Sequence, residues 1–248
     1  MGCAVRSLPL KPGDVVLLDY TLSLKDDGRV VETTSEEVAR EAGIYSEDAK
    51  YGPRLVVLGS GDLPPGLEEA LKEMKEGEEK EVVLPPEKAF GKRDPGKVRV
   101  LPARELSARG IVPRAGMEVE VRGERGIILS VGSGRVIIDF NHPLAGKEVV
   151  YKVKLVKVLQ SPEEKVRGFL EKWLGRLEEA EVKVEDGEVI LELPFRLLHS
   201  RELVHALEAF ASDIERHVEE VTRVRLISTV FERRVEEEEA SSAQAAAP

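Results

Sequence analysis

The chain has 248 residues, 42% of them apolar and 34% charged, with a formal net charge of −10. That length predicts two or three domains, and the balance is that of globular domains with a heavily charged surface. The lone Cys3 excludes a disulfide framework and a cysteine-based zinc site, and no run approaches the ~18 apolar residues of a membrane span.

The opening Met-Gly-Cys-Ala-Val-Arg-Ser-Leu-Pro-Leu is too short and too weakly apolar for a signal peptide, so a soluble, cytoplasmic protein without membrane partners is expected. The charge is unevenly spread. Residues 160–248 hold twelve Lys and Arg against twenty-one Asp and Glu, whereas residues 93–139 hold nine against six. No Lys/Arg cluster forms a phosphate-tracking stripe, which argues against a nucleic-acid binder. A single Asn and two Gln among so many Glu, Lys and Arg is the composition of a heat-adapted protein.

Residues 13–24 alternate, with Val16, Leu18, Tyr20, Leu22 and Leu24 on one side, and so predict a half-buried strand. Asp26-Asp27-Gly28 predicts a hairpin turn into a strand over 29–33, followed by a helix from Glu36 to Ala42. Leu55 to Leu58 reads as a short buried strand. After Pro64 and Pro65, the spacing of Leu67, Ala70, Leu71 and Met74 predicts a helix that stops at Gly77, with a strand from Lys80 to Leu84. From Arg93 to Asp139 the pattern becomes one of short strands: Val98 and Val100; Met117, Val119 and Val121; then Ile127 to Val131 and Arg135 to Phe140 around Gly132-Ser-Gly134. One helical turn is expected from Ala103 to Ala108. A compact β unit whose ends lie close together is how an inserted domain should look. Tyr151 to Val158 alternates again and returns to the parent sheet.

A boundary follows at Gln160. Ser161-Pro-Glu-Glu164 sets out a capping box, and Val166, Phe169, Leu170, Trp173, Leu174 and Leu177 give the helix after it one apolar face. A hairpin around Asp186-Gly187 joins strands over 181–185 and 188–193. A second amphipathic helix carries Leu203, Leu207, Phe210, Ala211, Ile214 and Val218, and a strand runs from Val221 to Phe231. Residues 236–248, four Glu followed by Ala, Ser and Gln, read as a disordered tail.

Three motifs stand in order: Leu58-Gly-Ser-Gly-Asp-Leu-Pro-Pro-Gly-Leu-Glu-Glu-Ala-Leu71, Pro85-Pro-Glu-Lys-Ala-Phe-Gly91 and Asn141-His-Pro-Leu-Ala-Gly146. Together they resemble the FKBP-type peptidyl-prolyl isomerases, in particular the SlyD-like subgroup with a second domain inserted in the flap. The C-terminal arrangement resembles that of the long archaeal members. The resemblance covers about residues 11–159. It implies an α+β fold: an FKBP-like antiparallel half-barrel wrapped on a short helix, with an inserted small β domain and a C-terminal α-β-β-α-β domain. The expected boundaries are 1–92 with 140–159 for the isomerase domain, 93–139 for the insert, 160–235 for the third domain and 236–248 for the tail.

Rotation about a prolyl bond must break amide conjugation, at a cost of ~18–20 kcal/mol without a catalyst. An apolar hollow favours the twisted, less dipolar imide over the hydrated planar one, so neither metal nor cofactor is expected. By resemblance, Tyr20, Leu67, Phe90 and Tyr151 are the catalytic lining. Tyr20 matches the family's strand tyrosine, Leu67 the floor tryptophan, Phe90 the flap tyrosine and Tyr151 a phenylalanine on the last strand. Val31, Glu32, Val56, Leu63 and Pro64 match the substrate-binding positions usually held by Phe, Asp, an aromatic, Val and Ile. Three departures bear on catalysis. Val31 and Val56 make the walls less aromatic, Phe90 lacks the flap hydroxyl, and Pro64 has no N–H for the substrate carbonyl.

The insert matches the chaperone domain of SlyD-like proteins, which by resemblance holds apolar segments of unfolded chains beside the pocket. Leu101, Ile111, Val112, Met117, Val119 and Ile127 are the candidate contacts, with plain core packing the first reading of any single one. The expected partners are unfolded or partly folded proline-containing polypeptides. Trp173 and Phe169 are read first as core residues of the third domain and second as a homodimer face, and the basic insert hints at a ribosome partner. His142, His199, His205 and His217 lack metal spacing, and Gly59-Ser-Gly61 reads as a tight turn rather than a phosphate loop. A competing reading keeps the chaperone and makes the isomerase site vestigial, on the strength of Pro64, Val31, Val56 and Phe90.

Overall fold

The computed structural model describes residues 9–175 and 181–230. It is a mixed α+β protein with three sheets, divided into two compact units, Met1–Leu159 and Gln160–Pro248.

The first unit begins with β1 (Val15–Leu24), whose alternation places Val16, Leu18, Tyr20, Leu22 and Leu24 inward as expected. The Asp26–Gly28 turn, with Gly28 at φ 69°, returns the chain as β2 (Val30–Thr33). Helix α1 (Glu36–Glu41) is N-capped by Ser35, and β3 (Arg54–Val57) follows. The short helix α2 (Pro65–Leu71) buries Gly66, Leu67 and Leu71; it ends earlier than the spacing predicted, with Met74 still buried in the turn after it. Strand β4 (Glu79–Leu84) precedes a single 3-10 turn over Pro86–Lys88.

The chain then leaves this sheet and builds another: β5 (Val98–Pro102), α3 (Ala103–Ser107), β6 (Glu118–Val121), β7 (Glu124–Gly132) and β8 (Arg135–Asp139). These strands pair antiparallel in the order β5-β8-β7-β6. The β7–β8 link is a two-residue turn, Ser133 at φ 49° and Gly134 at φ 74°, the all-positive geometry that suits the twist of a hairpin. Leu106, Val119, Val121, Ile128, Val136 and Ile138 form a small core of their own. Strand β9 (Val149–Leu159) re-enters the first sheet between β1 and β4, giving the order β2-β1-β9-β4 with β3 also on β1.

In the second unit α4 (Pro162–Leu174) starts with the capping box read from sequence: Ser161 Oγ accepts from Glu164 N–H at 3.2 Å and Glu164 reaches back to the Ser161 N–H. Strands β10 (Glu181–Glu185) and β11 (Glu188–Glu192) turn at Asp186-Gly187, and α5 (Arg201–His217) and β12 (Arg223–Ile227) follow. β12 pairs with β11 in parallel. Four details differ from the sequence reading. Trp173 is 38% exposed rather than core, held by its Nε1–H to Asp213 at 2.8 Å, whereas Phe169 is fully buried. Ala211 faces outward, because the buried stripe of α5 narrows to Phe210 and Ile214. The last strand is five residues long rather than running from Val221 to Phe231, since pairing stops where β11 stops. The chain also makes an unforeseen 3-10 turn over Phe195–His199, behind Pro194. Leu177, Phe231 and the tail 236–248 lie outside the described residues.

Candidate functional site

The antiparallel register of β1 and β9 sets Leu22 opposite Tyr151 and Tyr20 opposite Val153, so Tyr20 and Tyr151 are diagonal neighbours on one face. Their ring centroids are 5.9 Å apart and tilted by 53°, a favourable aromatic geometry. Both are almost fully buried, at 5% and 3% exposure. Leu67 and Val56 belong to the same apolar cluster, and Val31, Leu63 and Phe90 pack on it while half-exposed. The residues that resemblance assigned to one hollow are therefore brought together by β1, β2, β3, α2, β9 and the loop after the 3-10 turn. Pro64 is the N-cap of α2; its carbonyl accepts the Leu67 N–H at 2.9 Å, and the proline ring offers no donor of its own. The loop before it is closed by the Gly59 N–H donating to Glu68 at 3.1 Å, with Gly59 and Gly61 both at positive φ, which makes it the tight turn expected.

Glu32 bonds to its own wall: its Oε1 accepts the Tyr20 hydroxyl proton at 2.6 Å. Asp19 is engaged separately, accepting from Thr34 Oγ1 at 3.1 Å, so the two carboxylates do not act as a pair. Sequence reasoning missed Arg54. Its Nη1 donates to the Tyr20 hydroxyl oxygen at 2.8 Å and to Glu32 Oε1 at 3.1 Å, completing a three-membered network at the rim. Only the pairing of β3 with β1 places Arg54 there; as the flank of an apolar run it carries no signal in sequence.

Burial, then the hydrogen bond to Glu32, pushes the Tyr20 phenol up to about 12. Burial likewise raises Tyr151. A raised folded-state value favours the neutral phenol, so this contribution to stability is complete below about pH 10 and is lost as pH rises toward 12. An absorbance titration of phenolate, with Tyr20→Phe for assignment, should find Tyr20 ionising only near the top of that window; ionisation near pH 10 would show the network is not formed.

Among the chaperone candidates, Val119 is buried at 5% in the core of the second sheet, and Leu101 and Ile111 pack against that core. Ile127 is half-buried. Val112 and Met117 are exposed, and so are Val100, Leu129 and Val131, which the alternation did not single out. Leu129 and Val131 have the parity opposite to buried Gly126 and Ile128, so the alternation of β7 itself turns them outward. Among the described residues no group of three or more His, Cys, Asp or Glu is placed to hold a metal, and no helix is long and apolar enough to cross a membrane.

Comparison with known proteins gives two family models side by side: FKBP26, IF domain, over residues 99–144, and FKBP26 C-terminal over residues 162–231. The chain is 40% identical over 146 residues to the short-type peptidyl-prolyl cis-trans isomerase of Methanocaldococcus jannaschii, covering 59% of this chain and 92% of that protein. It is 30% identical over 154 residues to the FKBP-type 16 kDa peptidyl-prolyl cis-trans isomerase of Escherichia coli, covering 60% and 93%. It is 29% identical over 139 residues to the FKBP-type isomerase SlyD of Helicobacter pylori, covering 53% and 74%.

Proposed function

The chain belongs to the FKBP-type peptidyl-prolyl cis-trans isomerases, and from that premise we infer that the hollow beneath Tyr20 and Tyr151 is where the prolyl bond turns. The observation that carries this reading is one apolar cluster uniting Tyr20, Val56, Leu67 and Tyr151, with Val31, Leu63 and Phe90 at its open edge. A proline ring seated against the two tyrosines, at the edge where Val31, Leu63 and Phe90 stay half-exposed, leaves water behind, and the imide nitrogen can lose conjugation there without losing hydration. Pro64 cannot donate to the carbonyl of the substrate. Arg54 is the donor-bearing side chain nearest to take that part: its guanidinium is held at the rim by Tyr20 and Glu32. The bound Tyr20 hydroxyl keeps the wall in one rotamer, so little ordering is needed when substrate enters.

Residues 93–139 are assigned to a chaperone domain inserted into the isomerase domain (1–92 and 140–159), with Val100, Val112, Met117 and Leu129 as its exposed apolar contacts for unfolded, proline-containing chains. The Gly146 N–H donates to the Gly91 carbonyl at 2.8 Å and the Asp94 N–H to Asn141 at 2.9 Å, so the two crossings run side by side. Excising 93–139 and rejoining the ends should leave kcat on a proline tetrapeptide within about twofold. Suppression of aggregation of a refolding protein should be lost. Aggregation assays that show full suppression by the excised protein would move the chaperone role elsewhere. The third domain, residues 160–235, is assigned to self-association through Trp173, which stays exposed together with Phe195, Val204 and Leu226; Phe169, the other residue of the expected dimer face, is fully buried and takes no part.

A second reading, a chaperone with a vestigial site, is favoured by Pro64, Val31, Val56 and Phe90. Acceleration of proline-limited refolding by the wild type decides between them.

A further inference from the structure

Phe90, at the mouth of the hollow, has one aromatic neighbour in direct stacking contact: the imidazole of His142, with ring centroids 4.6 Å apart and planes within 1° of parallel. His142 does not belong to the wall. It lies on the crossing that brings the chain back from the second sheet, and that crossing is fixed in place. Asn141 donates from Nδ2 to the Asp94 carbonyl at 2.8 Å and to Asp139 at 2.7 Å, and accepts the Asp94 N–H. Arg93 pairs with Asp139 at 2.6 Å across the same junction. The His142 ring is oriented in turn by its own backbone: Nδ1 accepts the Leu144 N–H at 3.2 Å, which leaves the proton on Nε2. Burial lowers the pKa of this imidazole, so the neutral ring that can accept at Nδ1 is the resting form.

We infer that His142 is a positioning residue for isomerisation, holding the Phe90 ring flat across the mouth of the hollow through a stack braced by the Asn141 crossing. The inference rests on the assignment of the hollow as the isomerase site. Phe90 is half-exposed and, lacking the hydroxyl that its family position usually carries, has no polar bond to fix its rotamer. A free ring would have to be ordered each time substrate enters, and that cost falls on binding rather than on the twist. With His142 in place the ring is ordered beforehand. His142 lines a cavity of about 580 Å³ with Phe140, Gly126 and Glu118, so a smaller side chain there opens onto existing space and leaves no sealed void.

Two substitutions separate the stack from the backbone bond, measured in the full-length chain on a chromogenic proline tetrapeptide. His142→Asn keeps an acceptor for the Leu144 N–H and removes the aromatic face; His142→Phe keeps the face and removes the acceptor. His142→Asn should raise KM by about threefold to tenfold, the value of one lost aromatic pair, with kcat within about twofold. His142→Phe should stay near wild type. In a Phe90→Leu background His142→Asn should add nothing, because its partner is already gone. An unchanged KM in His142→Asn, equal damage from both substitutions, or additivity with Phe90→Leu each overturns the inference while leaving the pocket assignment intact. A wild type that does not turn over the peptide defeats the pocket assignment, and the inference falls with it.

Discussion

Replacing Tyr20 and Tyr151 together by leucine should lower kcat/KM on a short proline peptide by about 100-fold, or roughly 2.7 kcal/mol of transition-state stabilisation. The two rings are tilted, buried neighbours 5.9 Å apart, and on the proposed reading they form the deep wall of the hollow, so no other residue replaces both. Leucine retains most of the apolar volume, and Glu32 keeps its ion pair with Arg54 at 3.1 Å, so no charge is left without a partner. The loss is therefore one of pocket shape. Thermal melts and circular dichroism should report a folded protein. A folded double variant that isomerises at the wild-type rate would place the reaction elsewhere.

Gly66→Ala should destabilise the first unit by about 1–3 kcal/mol, the usual cost of overpacking a tight contact. For a chain of this size each kcal/mol lowers Tm by about 2–4 °C. In an exposed helix the same change stabilises by roughly 1 kcal/mol, because alanine is the better helix former. The sign is reversed here by packing. A Cβ on Gly66 would stand 2.6 Å from Leu84 Cδ2, 2.9 Å from Lys88 Cβ and 3.0 Å from the Lys88 carbonyl oxygen. The leucine can shift, but the backbone of the 3-10 turn cannot without moving Phe90, two residues on. Turnover should fall along with stability, since Leu67 is the next residue of the helix. A calorimetric scan with Tm raised would mean that α2 does not lie against that turn.

The strands and helices were readable because each has a face. Val16 to Leu24 alternates with the period of a half-buried strand, and Ser161-Pro-Glu-Glu164 announces a helix start in which every residue has a local partner. Where one pattern served two uses, the sequence did not choose between them. Val119 alternates as a core residue should and lies inside, whereas Val112 and Met117 are exposed. Trp173 looked like core because its spacing is apolar, yet its indole N–H is drawn to Asp213, a residue on another helix.

For the site, the sequence by itself determined the order of the motifs and the residue types in them. Resemblance carries residue types in chain order, and Tyr20, Val56, Leu67, Phe90 and Tyr151 are proposed as the lining on that ground, with one apolar cluster uniting them. Only the tertiary structure decided what holds that lining still. Arg54 reaches Tyr20 because β3 pairs beside β1, and His142 reaches Phe90 because a whole sheet departs and returns between them. Such partners meet through strand pairing and chain crossings, and a linear pattern records neither.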